Sequence, residues 1–115
     1  MSPRLITSGL LGATAVALSA FGAHALKAQL NSIPEALGWW NTATFYLLIH
    51  AVAVGAISQS GRWSAILWSV GAVIFSATLY AMALGAPRWL GAITPLGGTM
   101  LILGWLTLVV SGLRK

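Results

Sequence analysis

The stretch WSAILWSVGAVIFSATLYAMALG, residues 63–85, runs from Trp63 to Gly85 without one charged side chain. A hydrocarbon core of about 30 Å takes roughly 20 helical residues at a rise of 1.5 Å each, and this stretch has that length. Three others match it: Arg4 to Lys27, Trp39 to Gln59 and Thr94 to Leu113. All four are continuous rather than alternating, and all are too long for membrane strands, so helices are expected rather than a barrel. The predicted fold is all-α, an integral membrane bundle of four transmembrane helices. They cover residues 4–26, 33–58, 63–84 and 94–113 and form a single domain over 1–115.

Composition agrees. Hydrophobic residues make up 58% of the chain and charged residues 6%, against about 25% charged in soluble domains. A soluble domain of this length leaves about a third of its surface exposed, so the surplus apolar surface must face lipid. The net charge of +5 comes from Arg4, Lys27, Arg62, Arg88, Arg114 and Lys115, set one or two at a time at segment ends. There they can snorkel to headgroups. No basic run exists, which argues against nucleic-acid binding. Cysteine is absent, removing disulfides, thiolate metal sites and cysteine nucleophiles together.

The punctuation between spans reads locally. Lys27–Asn31 is expected to be a loop. Ser32-Ile33-Pro34-Glu35 has the form of a capping box, Ser32 as N-cap and Glu35 three residues on, which occupies the one acid of the chain. Trp39-Trp40 suits a headgroup-level belt. Gln59-Ser60-Gly61 is a tight turn, and Gly85-Ala86-Pro87 stops the third helix. Thr94-Pro95 restarts the chain as N-cap and first helical residue. Small residues recur four apart, as Ser8/Gly12, Ala13/Ala17, Ala15/Ser19/Ala23 and Ala77/Ala81/Gly85, the spacing that lets membrane helices approach closely. Ala23-His24-Ala25 also resembles a signal-peptidase site, and cleavage there would leave three spans; the long apolar run and its packing rows favour four. Arg4, Arg62, Arg114 and Lys115 alternate with Lys27 and Arg88, which predicts both termini in the cytoplasm.

Polar residues in or near the spans are few. The candidate cluster is His24, Tyr46, His50, Tyr80 and Thr94, expected towards the outer half of the bundle, with Tyr46 and His50 on one helix face at i and i+4. His50 is the deepest ionisable group and hence the foremost functional candidate; a structural histidine bonded across helices would look the same. Bis-histidine haem is disfavoured, because His50 lies roughly 15 Å deeper than the Trp39-Trp40 boundary and His24 lies near it. No pattern supports zinc or a di-iron centre, so no metal and no cofactor are expected. Small multidrug transporters share this chain's size, but proton-coupled export needs a carboxylate in the membrane, and Glu35 falls in a cap.

The motifs Ala20-Phe21-Gly22-Ala23-His24-Ala25-Leu26, Tyr46 with His50-Ala51, Phe75-Ser76 with Leu79-Tyr80, and Ile93-Thr94-Pro95-Leu96-Gly97-Gly98 leading to Gly104-Trp105 run through nearly the whole chain. In this order they resemble the small inner-membrane family that includes the YgdD and YwdK proteins, with mitochondrial relatives in animals. The resemblance implies a four-helix inner-membrane protein without an established activity, and it argues against cleavage at Ala25. That family usually places glutamine after the second-helix tyrosine and often an acid before it; this chain has Leu47 and Phe45. The expected function is a structural or accessory component of the cell inner membrane, in contact with the lipid bilayer and with a membrane-protein partner or a second copy of itself. The alternative is a binding or transport module for a lipid, quinone or other small amphipathic molecule at the polar cluster. No enzyme is expected, since no nucleophile and base are paired and no carboxylate is placed in a span.

Overall fold

A computed structural model describes residues 1–57 and 61–114. Among the described residues there are helices and turns and no strand: α1 (Pro3–Ala23), α2 (Lys27–Ser32), α3 (Ala36–Ala56), α4 (Arg62–Ala83), a 3-10 turn (Arg88–Ala92) and α5 (Thr94–Leu113). Three segments are long and apolar enough to cross a membrane: Pro3–Ala23, Arg62–Ala83 and Arg88–Leu113. α3 equals α1 in length at 21 residues, but Asn41, Thr42, Thr44, Tyr46 and His50 dilute its apolar content.

Local chemistry explains the helix ends. Ser2 caps α1 by accepting the Leu5 N–H at 3.3 Å, with Pro3 opening the first turn. α1 stops at Ala23, short of the expected residue 26, where the Leu26 N–H turns back to the Phe21 carbonyl at 2.8 Å. The expected loop Lys27–Asn31 is instead the body of α2. Its one apolar anchor, Leu30, is buried against Ala36, Trp40 and Ala83. A tertiary contact makes this short helix, since six residues would not hold one alone.

The expected capping box does not form. Ser32 ends α2, and its hydroxyl donates to the Gln29 carbonyl at 2.6 Å. Pro34 takes the first corner of a tight turn closed by the Ala36 N–H to the Ile33 carbonyl at 3.1 Å. Glu35 takes the second corner at φ 71° and ψ −9°, a type II geometry that favours glycine. The reversal at Pro34 delays α3 to Ala36, and the Glu35 carboxylate makes no cap. It faces Arg88 instead, Oε1 to Nη1 at 3.7 Å, and the Arg88 guanidinium lies 5.1 Å from the Trp39 ring centroid. At the other end of α3, Ser58 and the Gln59 and Ser60 of the predicted turn lie outside the described residues; Gly61 is the N-cap of α4. Thr94 is the first residue of α5 rather than its cap, a place taken by Ile93.

The long helices pack in chain order, α1 on α3, α3 on α4 and α4 on α5, so α1 and α5 form the edges of a row. The molecule measures 51 × 28 × 18 Å. One end gathers Arg4, Ile57, Arg62 and Arg114; the other gathers His24, Lys27, Glu35 and Arg88. Small residues line the seams, although only some of the predicted rows do so. Ser8, Gly12 and Ala15 face α3, the Ser8 hydroxyl donating to the Ala51 carbonyl at 2.8 Å. Ala13, Ala17, Ser19, Ala23, Ala77 and Gly85 are exposed. α4 buries Ala65, Trp68, Gly71, Ala72 and Ser76. Gly97 of α5 sits where a Cβ would come within 2.8 Å of the Gly71 carbonyl oxygen, so these two backbones touch.

Candidate functional site

Each long-helix seam carries polar bonds, because lipid gives packed helices no hydrophobic drive and polar side chains then act as glue. Between α1 and α3, the Trp40 indole N–H donates to the Leu18 carbonyl at 2.8 Å. It reaches that carbonyl because Gly22 has no Cβ, which would overlap the indole. Between α3 and α4, the Thr44 and Tyr80 hydroxyls share a 2.6 Å bond, and Ser76 donates to the Ala43 carbonyl at 3.2 Å. The Tyr80 ring also meets Trp40 edge-on at 4.6 Å. Between α4 and α5, Thr78 bonds Thr94 at 2.6 Å and Ser64 bonds Thr107 at 2.7 Å.

His50 links α3 to α5. It is buried at 3% exposure, and its Nε2 accepts the Trp105 indole N–H at 3.1 Å. A nitrogen that accepts carries no proton, so Nδ1 holds it and donates to the Tyr46 carbonyl at 2.7 Å. Both nitrogens are thereby satisfied within the bundle. Trp68 completes the layer, 4.5 Å from the Trp105 ring and 6.3 Å from the imidazole. Its indole nitrogen is the one buried side-chain polar atom without a hydrogen bond among the described residues, pressed against Gly104, where a Cβ would fall 2.6 Å away.

The five candidates are thus not brought into one pocket. His50, Tyr80 and Thr94 each join a different cross-helix bond. Tyr46 is 39% exposed, stacks on His50 and meets the Phe75 ring at a tilt, centroids 4.8 Å apart. His24 is exposed at the end of α1, beside a shallow groove shared with Ala17, Ala20 and Phe21. Nor do all lie in one half of the bundle. His50 comes 14 residues after Ala36 in a 21-residue helix, about 21 Å along it, in the half that holds the chain termini. Trp40, Trp68 and Trp105 were absent from the predicted cluster because tryptophan in such a chain reads as an interface anchor. Trp68 and Trp105 do betray themselves in one way: both sit inside spans and away from their charged ends, where a belt residue has no place.

The family described as "Protein of unknown function (DUF423)" matches residues 18–98, the portion holding Gly22, His50, Tyr80 and Thr94. The chain belongs to this family. It is 38% identical to a UPF0382 membrane protein of Staphylococcus epidermidis, over 96% of this chain and 94% of the relative. It is 37% identical to a UPF0382 membrane protein of Haemophilus influenzae, over 92% and 90%. It is 33% identical to the UPF0382 inner membrane protein YgdD of Escherichia coli, over 96% and 88%. No solved structure matches the chain. This DUF423 protein is a multi-pass protein of the cell inner membrane: it has helices long and apolar enough to span a bilayer, and its Escherichia coli relative is an inner membrane protein; no specific activity attaches to the family.

Proposed function

We propose that this DUF423 protein is a structural or accessory component of the inner membrane. It crosses the bilayer four times with both termini in the cytoplasm, and it acts through helix contacts rather than catalysis. The carrying observation is where its polar atoms go: His50, Tyr80 and Thr94 each bond a partner across a helix seam, while an edge helix keeps a small-residue flank bare. On α1, Gly9, Ala13, Ala17 and Ala20 are exposed on one face, and nothing approaches Gly9 within 4 Å. A row of this kind admits a second helix backbone closely. The occupant in this reading is a transmembrane helix of a larger complex. The one acid, Glu35, sits in an exposed turn beside Arg88, which favours a non-catalytic role. Four basic residues at one end against two at the other support the orientation, and the length of α3 supports the fourth span.

Two measurements test the reading. Ala13→Leu with Ala17→Leu should leave abundance unchanged and abolish cross-links from α1 to a larger partner. Unchanged cross-linking would refute it, and links to a second copy would make it a homo-oligomer. The natural chain lacks cysteine, so Gln29→Cys and Gly112→Cys report topology cleanly. An impermeant maleimide should label the first and spare the second in intact cells; equal labelling would refute the four-span arrangement.

A further inference from the structure

The row of helices leaves one sizeable groove at the end that holds Arg4 and Arg62. α1 and α4 flank α3 there without packing on one another, and the space between them is about 570 Å³. Its walls are of two kinds. Val54, Ile66 and Val70 form an apolar floor and side, of which Ile66 and Val70 are each 44% exposed. Arg4, Thr7 and Arg62 supply polar lining. Arg4 is held in place by its Nη1–H, which donates to the Ile57 carbonyl at 3.1 Å, and Arg62 lies over the Trp63 ring at 5.0 Å.

We propose that this groove seats one anionic glycerophospholipid, its phosphate between the two guanidinium groups and an acyl chain along Val54, Ile66 and Val70. The apolar walls alone would accept any lipid tail. The choice of an anionic headgroup follows from charge: two cations line one groove, and no acidic residue lines it. Arginine matches phosphate with a planar fork of donors. The seat lies on the α3–α4 side of α1 and does not depend on a helix partner at Ala13 and Ala17.

The test is lipid exchange in nanodiscs of mixed phosphatidylglycerol and phosphatidylcholine, reading the lipid retained on the protein by native mass spectrometry. The wild-type chain should retain phosphatidylglycerol above its share of the disc. Removing each arginine near the surface should lower that enrichment roughly fivefold, so Arg4→Gln with Arg62→Gln should abolish it. Arg88→Gln, which removes one charge at the opposite end as each single groove variant does, should leave it intact. Ser69→Phe keeps both arginines and fills the groove; it should expel the lipid in a folded protein, which covers the case where loss of the Arg4 contact to Ile57 unfolds the double variant. Enrichment that survives Ser69→Phe, falls equally with Arg88→Gln, or is competed away by inorganic phosphate would overturn the proposal.

Discussion

Replacing Gly22 by alanine puts one methyl group into the seam between α1 and α3, and its consequence can be worked out atom by atom. The new Cβ would lie 2.6 Å from Trp40 Cδ1 and closer still to Nε1. Trp40 is buried at 2% exposure among Leu30, Ala36 and Ala83 and cannot swing into lipid. Either the helices part or the indole tilts off the Leu18 carbonyl. Overpacking of this kind costs about 1–3 kcal/mol, and separating a buried N–H from its carbonyl costs about 1–3 kcal/mol more. Alanine's higher helix propensity returns about 1 kcal/mol. The net expectation is a loss of about 1–5 kcal/mol. Reversible unfolding in mixed detergent micelles, followed by tryptophan fluorescence, measures it. Gly38→Ala is the control: nothing lies within 4 Å of that position on exposed α3, so it should gain about 0.5–1 kcal/mol. In a Trp40→Phe background, the Gly22→Ala cost should shrink to below about 1 kcal/mol, because the indole edge it strikes is gone. Equal effects of Gly22→Ala and Gly38→Ala would refute the close approach of Trp40 to α1.

Other expectations follow from the same geometry. Glu35→Gly should raise thermal stability by about 1 kcal/mol, since it relieves a left-handed non-glycine residue, while the exposed ion pair to Arg88 it removes is worth about 0–1 kcal/mol. Glu35→Gln, which keeps the strain and drops the charge, should stay within about 0.5 kcal/mol of wild type, and a larger loss would assign the pair a bigger role than its exposure allows. A double-mutant cycle on Thr78→Val and Thr94→Val should give a coupling of about 0.6 kcal/mol, the average for bonds between membrane helices; zero coupling would place the two hydroxyls apart. His50→Leu strands the Trp105 indole N–H, so it should cost about 1–3 kcal/mol, and adding Trp105→Phe should recover part of that loss in the unfolding curve. No recovery would break the link between the two side chains.

The candidate site was legible in its residue types and not in its connections. His50, Tyr80 and Thr94 stand out because a polar group inside an apolar run is rare and costly, and each does carry a bond between helices. Which partner each meets was not legible: Thr44, Trp105 and Thr78 lie 36, 55 and 16 residues away from Tyr80, His50 and Thr94, and periodicity along one helix says nothing of the helix facing it. The small-residue rows failed selectively for the same reason. Ala13/Ala17 and Ser8/Gly12 have equal spacing, and only packing decides that the second pair faces α3. The capping box failed at a point where two local signals competed, and the turn set by Pro34 prevailed once Leu30 had anchored α2 against the bundle.

Four apolar runs, read without any structure, determined that the chain is helical and lives in a bilayer, because hydration of the backbone and the length needed to span lipid are properties of each segment alone. Tertiary structure decided the rest. It ordered the helices into a row, drew the polar side chains into separate seams, anchored α2 on the bundle through Leu30, and opened a groove lined by two arginines that lie far apart in the chain. Those are outcomes of which face meets which, and a face acquires its meaning only when another surface is set against it.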